Sequence, residues 1–171
     1  KACAPNNSVH WVYDSYEQGA AIGRVLPQLG KTWFFITADY VYGRALQAGA
    51  TTFIEKNGGK VLGSVRHPLG TTDFSSFMLQ AQASKAQILG LANAGADLVN
   101  AIKAANEFGV TKTMKLAGWI FPTDVDALGL NVTQNMYMAD AWYWDQDEQS
   151  RAWSKRYFAK TGRMPTSQQA V

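Results

Sequence analysis

The chain has 171 residues, 47% hydrophobic and 17% charged, with 16 basic against 13 acidic side chains and a net charge of +3. That size and balance suit one folded domain with its own core and exclude a disordered chain. No run of basic residues points to nucleic acid, a single cysteine (Cys3) excludes an internal disulfide or a multi-cysteine metal site, and the apolar stretches are too short to span a bilayer.

Taken in chain order, residues 1–8 read as a loop from mid-protein without an initiator Met, and residues 166–171 stop without closing a fold. The sequence is therefore expected to be a fragment. Apolar residues at helical spacing predict a helix over 16–29, stopped at Gly30. Residues 31–37 are almost continuously apolar, the mark of a strand buried on both faces. A second helix is expected over 43–56, closed by Asn57-Gly58-Gly59, then a strand over 60–66. Asp73 is placed to cap a helix over 74–83. A strand over 86–92, a helix over 96–108 ended by Gly109, and strands over 114–118 and 135–144 follow. The last helix is expected over 148–160, before Gly162 and Pro165. Strands separated by helices of this length imply βαβ units, hence an α/β fold: a doubly wound parallel sheet flanked by helices.

In such sheets ligands bind beyond the carboxyl ends of the strands. Those positions hold Ala38 to Gly43, Asn93 to Asp97, Trp119 to Asp124, and Tyr143-Trp144-Asp145. They are rich in aromatic and small residues with a few polar anchors, as a shaped and mostly apolar pocket requires. Asp39 ends a buried strand and reads either as a ligand contact or as a turn residue. Tyr42 reads as a ring over a ligand or as packing under the helix. Asn93, Ala94 and Gly95 allow a backbone to approach a ligand closely, and they serve equally as a plain turn. Trp119 and Phe121 form either a pocket wall or part of the core.

Signals for catalysis are weak. Bulky rings occupy the first strand-to-helix turn where a dinucleotide site needs glycines, and neither a phosphate loop nor a Gly-x-Ser-x-Gly elbow occurs. His67, before Pro68, reads as a solvated or capping residue, and Asp124 or Asp126 as a helix cap rather than a metal ligand. No cofactor is implied. Asn6-Asn7-Ser8 and Asn131-Val132-Thr133 match the N-glycosylation pattern, which arises often by chance.

Four stretches carry a family resemblance: Thr37-Ala38-Asp39-Tyr40-Val41-Tyr42-Gly43, Gly58-Gly59-Lys60-Val61-Leu62-Gly63, Thr72-Asp73-Phe74-Ser75-Ser76 and Ala105-Asn106-Glu107-Phe108-Gly109. In this order they resemble the periplasmic solute-binding proteins of branched-chain-amino-acid-type ABC transporters, which have the type I periplasmic binding fold. The resemblance covers nearly the whole chain from about Asn7.

It implies two α/β lobes closing on a ligand, of which this sequence matches mainly the second. Residues 1–30 would then be a loop and helix crossing from the first lobe, 31–147 the core of the second, and 148–171 the last helix and a return segment. The implied partners are a small-molecule ligand, the first lobe of the same protein and an ABC-transporter membrane permease, in the periplasm and with no nucleic acid. The implied ligand contacts are Tyr13, Ser15 and Tyr16 before and in the linking helix, Tyr42, the Asn93-Ala94-Gly95 turn, and Trp119 and Phe121. Amino-acid binders of the family often place an acid near this last position to hold the ligand ammonium. Here Trp119-Ile120-Phe121 stands instead, which favours an aromatic or aliphatic carboxylate without an ammonium group. The alternatives are a ligand-sensing regulator on the same fold and, from another class, an α/β enzyme whose nucleophile or cofactor loop is not in evidence.

Overall fold

The strand over Thr32–Ala38 (β1) is buried on both faces, and the fold is built outward from it. Trp33 and Phe35 pack into one core with Leu46, Ala50 and Ile54, whereas Phe34 and Ile36 pack into another with Met78, Leu98 and Ile102. A strand alternates its side chains between faces, so a continuous apolar run is what a strand between two helical layers requires. The computed structural model describes residues 13–170. Cys3, His10 and the Asn6-Asn7-Ser8 tripeptide lie outside them.

The described chain forms two compact units, one of Ser15–Asp140 and one of residues 141–170 with Tyr13 and Asp14. In the larger unit β1 pairs in parallel with β2 (Lys60–His67) on one side and β3 (Ile88–Ala92) on the other. Next to β3 come β4 (Lys115–Gly118) and β5 (Met136–Met138), all parallel, in the order β2-β1-β3-β4-β5. The expected doubly wound parallel sheet is what the chain forms.

Helices α1 (Ser15–Val25) and α2 (Val41–Lys56) cover one face, and α3 (Ser75–Ala83) and α4 (Gly95–Glu107) the other. α1 lies unusually close to α2. A Cβ on Gly19 would stand 2.7 Å from the Ala50 nitrogen, and one on Gly23 2.7 Å from the Phe53 Cβ. Only glycine permits that approach. Arg24 closes over the Phe53 ring at 4.7 Å from its centroid.

Several boundaries differ from expectation, each for a local reason. The first helix ends at Val25 and gives way to a 3₁₀ turn over Leu26–Gln28, because Pro27 has no N–H and its ring collides with the preceding helical turn. α3 begins at Ser75, one residue late, yet Asp73 does the expected work: its Oδ1 accepts the Ser75 N–H at 2.8 Å. Two short helices, α5 (Pro122–Leu128) and α6 (Leu130–Thr133), follow β4 without an evident apolar period in the sequence.

The strand expected over 135–144 is only Met136–Met138. Its aromatic tail belongs to the smaller unit, where Trp142 donates its indole N–H to Ser150 Oγ at 3.0 Å and meets the Trp153 ring edge-on at 5.6 Å. There α7 (Glu148–Thr161) starts at Asp147, whose Oδ1 accepts the Ser150 N–H at 2.7 Å. Those hydrogen bonds hold the Asp147 carboxyl below its ordinary value.

Candidate functional site

In the observed strand order the chain reverses direction between β1 and β3: β2 lies to one side of β1, and β3, β4 and β5 to the other. Crossovers leaving these two strands run to opposite faces and part above the sheet, so the carboxyl ends of β1 and β3 border a natural crevice. The residues that follow those strands, and those following β2 and β4, form the edge.

The β1 side is fixed by Gly43. A Cβ there would overlap the Ala38 carbonyl oxygen and stand 2.8 Å from that of Ala92, so the first turn of α2 rests directly on the ends of β1 and β3. This placement carries Tyr42, half-buried, whose hydroxyl donates to Gln18 Oε1 at 3.3 Å. Asp39 is exposed and engaged: its Oδ1 accepts from Arg44 Nε at 3.0 Å and Nη2 at 2.9 Å, with Arg66 Nε at 3.9 Å. Of the two readings of Asp39 the structure adds a third, a carboxylate that gathers guanidinium groups at the rim.

On the β3 side Asn93 is fully buried, whereas Ala94 and Gly95 are exposed. Gly95 opens α4 at φ +58, and open space lies where a Cβ would be. Ala94, at the helix cap, makes no side-chain cap hydrogen bond, so the positive end of the α4 dipole faces the edge without a side-chain acceptor from its own cap. After β4, Trp119 is 3% exposed and its indole N–H has no partner, while Phe121 is half-buried. Trp119 packs in the core on the α2 side.

The edge thus brings together Asp39, Tyr42, Asn93, Ala94, Gly95, Trp119 and Phe121. Ser15 and Tyr16 lie in the first turn of α1, half-buried and exposed respectively, and Tyr16 meets Phe53 edge-on at 5.5 Å. Tyr13 is half-buried and belongs to the smaller unit. Tyr143, Trp144 and Asp145, expected after a longer fifth strand, belong to the smaller unit, since β5 ends at Met138.

Two residues that the sequence reading had named take roles it did not give them. His67 is fully buried, not solvated: its ring lies 4.8 Å from that of Phe74 and 6.0 Å from that of Phe77. Its Nδ1 is 2.8 Å from the Pro68 carbonyl oxygen and its Nε2 3.3 Å from Asn93 Nδ2. A lone histidine before a proline gives no sign of such burial. Asp97, in the first turn of α4, is 6% exposed and its Oδ2 accepts the Gly70 N–H at 3.2 Å. With Asn100, which donates to the Thr71 carbonyl at 3.3 Å, it straps the loop after β2 to α4. Burial, and secondly the Asp97 charge, push the Tyr40 hydroxyl above its ordinary value. The acid at this position follows the usual preference for the first helical turn, which was its one visible signal. Asp124 acts as the expected cap, accepting the Phe121 N–H at 3.1 Å. Among the described residues no three His, Cys, Asp or Glu side chains gather as a metal site.

The family model described as periplasmic binding protein matches residues 1–171. A periplasmic binding protein from Burkholderia mallei is 59% identical, with a TM-score of 0.86 over 95% of this chain and 44% of its own. A branched-chain amino acid ABC transporter periplasmic ligand-binding protein from Burkholderia xenovorans LB400 is 39% identical, with the same TM-score and coverage. A solute-binding protein of an R. palustris ABC transporter, solved in complex with 4-hydroxybenzoate, is 25% identical, with a TM-score of 0.63 over 67% of this chain and 33% of its own. The chain therefore spans under half the length of these relatives. No curated protein matches it. The match over the whole chain, together with the parallel five-stranded sheet, places this chain in the periplasmic binding protein family, as one lobe of the type I fold.

Proposed function

We propose that the protein to which this chain belongs captures a small organic carboxylate in the periplasm, holds it without chemical change and delivers it to the membrane permease of an ABC transporter. Residues 1–30 lead in from the first lobe, 31–147 form the core of the second, and 148–171 return. The ligand meets Ser15 and Tyr16 at the lead-in, Tyr42 and the Asp39-held Arg44 at the β1 end, the turn Asn93-Ala94-Gly95, and the walls Trp119 and Phe121.

One observation carries the choice of ligand. An α-amino acid needs a carboxylate for its ammonium group, and three of the acids that follow β1, β3 and β4 are engaged elsewhere: Asp39 with Arg44, Asp97 with the Gly70 amide, Asp124 with the Phe121 amide. What the edge offers instead is donors. The first turn of α4 carries amide N–H groups at the positive end of its dipole. Donors suit a carboxylate, and the rings of Tyr42, Trp119 and Phe121 suit an aromatic body. The R. palustris relative holds such a molecule.

Calorimetric titration of the full-length protein with benzoate, 4-hydroxybenzoate and leucine tests this. Binding of an aromatic acid is expected. Binding of leucine with none of either acid overturns the reading.

A further inference from the structure

The loop between β2 and α3, residues 68–74, is braced beyond the needs of a surface turn. It runs between two buried rings, His67 and Phe74, whose centroids lie 4.8 Å apart. The Pro68 carbonyl oxygen accepts from the Thr71 hydroxyl at 2.7 Å and lies 2.8 Å from His67 Nδ1. Asp97 and Asn100 tie Gly70 and Thr71 to α4, and Asp73 ties the far end to Ser75. Asp97 is buried, and a buried carboxylic acid is a costly brace for a loop that could lie free in water.

What these bonds hold up is an apolar side chain. Leu69 is 61% exposed at the turn, beside Gly70 at φ +77 with open space where a Cβ would be. The neighbouring strand end repeats the pattern. Ala38 pairs with His67, and the Asp39 N–H donates to the His67 carbonyl at 2.8 Å. Three residues beyond Ala38, Val41 is 83% exposed in the first turn of α2, the turn that Gly43 seats on the strand ends. Arg44 and Arg66 gather around Asp39 at the same corner. A fixed corner that presents aliphatic side chains among arginines has the make-up of an interface. Its rigidity matters as well, because a tip already ordered loses little freedom when it is covered.

The position names the partner. The corner stands at the carboxyl edge of β1 and β2, on the side of the sheet that borders the crevice. The chain is one lobe and spans under half the length of its relatives, so the other lobe of the protein lies beyond residues 15–140. We infer that this corner is where the two lobes touch: on closure over a ligand, the first lobe seats on Leu69 and Val41. A contact made only in the closed state prolongs the stay of the ligand and leaves its entry unchanged. The inference needs the solute-binding role and is independent of the carboxylate reading.

The test is a cross-link. Full-length protein with photo-leucine in place of Leu69 is irradiated with and without benzoate, 4-hydroxybenzoate or leucine, and the linked peptides are read by mass spectrometry. A link to a part of the same molecule outside residues 15–140 is expected. Links confined to residues 15–140, links to a second molecule, or none at all overturn the inference. In stopped-flow release of whichever probe the wild type binds, Leu69→Asp is expected to raise koff about fivefold or more, with kon within about twofold of wild type. Leu69→Met should keep the wild-type koff, and so should Leu79→Asp, an exposed leucine on α3. An unchanged koff in Leu69→Asp overturns the inference with any of the three probes. If leucine alone binds, the carboxylate reading fails, and the same comparison on leucine still decides this one.

Discussion

β1 and β5 belong to one sheet and are held in opposite ways. β1 pairs on both edges, is covered on both faces, and ends under a helix that rests on it through Gly43. β5 pairs with β4 alone, runs for three residues, none of them fully buried, and is bordered by the short helices α5 and α6. Beside it Leu130 is 74% exposed and Met138 40%. Two of the residues proposed to meet a ligand, Tyr42 and Asn93, follow the doubly covered middle strands β1 and β3. The outer strand contributes area and closure more than placement. Precision in this lobe is inherited from burial.

That contrast can be broken by substitution. Removing the ring at the middle, Phe35→Ala, is expected to cost about 3–5 kcal/mol in denaturant unfolding, since Phe35 is fully buried and leaves a cavity. Gly43→Ala should cost roughly 1–3 kcal/mol by forcing α2 off the strand ends, and should weaken ligand binding as well, because Tyr42 moves with the helix; unchanged affinity in the same titrations would detach the site from the middle strands. Met138→Ala, at the outer strand, is expected to cost about 0.5 kcal/mol. If it costs as much as Phe35→Ala, the two regions do not differ as described.

The smallest effect belongs to the other unit. Asp147→Ala removes the α7 cap, and circular dichroism should report a modest loss of helix at neutral pH. The Asp147 carboxyl is held below its ordinary value of 3.8 by the Ser150 hydrogen bonds. A depressed value stabilises the fold above the unfolded value, and that contribution disappears as pH falls through the folded one. Wild type and variant should therefore differ at neutral pH and converge in acid below the ordinary carboxylate range. A difference that persists there would remove the cap as its cause.

Much of the fold was legible because it is written in periodicity. The apolar run of β1, the helical spacing of α2 and α4, and the glycines that stop them survive translation into structure within a residue or two. What failed was local competition. Pro27 cut a helix that its apolar spacing continued, and the aromatic run after Met138 has strand character but is used for ring packing around Trp142 and Trp153. The candidate edge was legible in outline for a topological reason, since strand ends can be counted from the sequence. Its polar wiring was not: Asp39 meets Arg44 and His67 meets Asn93 only after folding brings strand ends and helix starts together, and no spacing announces which hydrogen-bond acceptor will be left over.

The wholly parallel sheet also constrains how the lobe comes into being. Antiparallel strands can pair through a two-residue turn, but parallel neighbours must wait for a crossover to fold between them. Here β1 meets β2 only after the length of α2 has been traversed, and β3 joins β1 only after β2 and α3 as well. Each pairing closes a long loop before its burial is gained, which slows assembly. The middle strand that orders the finished site is then a surface that stays incomplete until three separate stretches of chain have arrived, and in that interval its Trp33-Phe34-Phe35-Ile36 run is exposed to any other chain nearby.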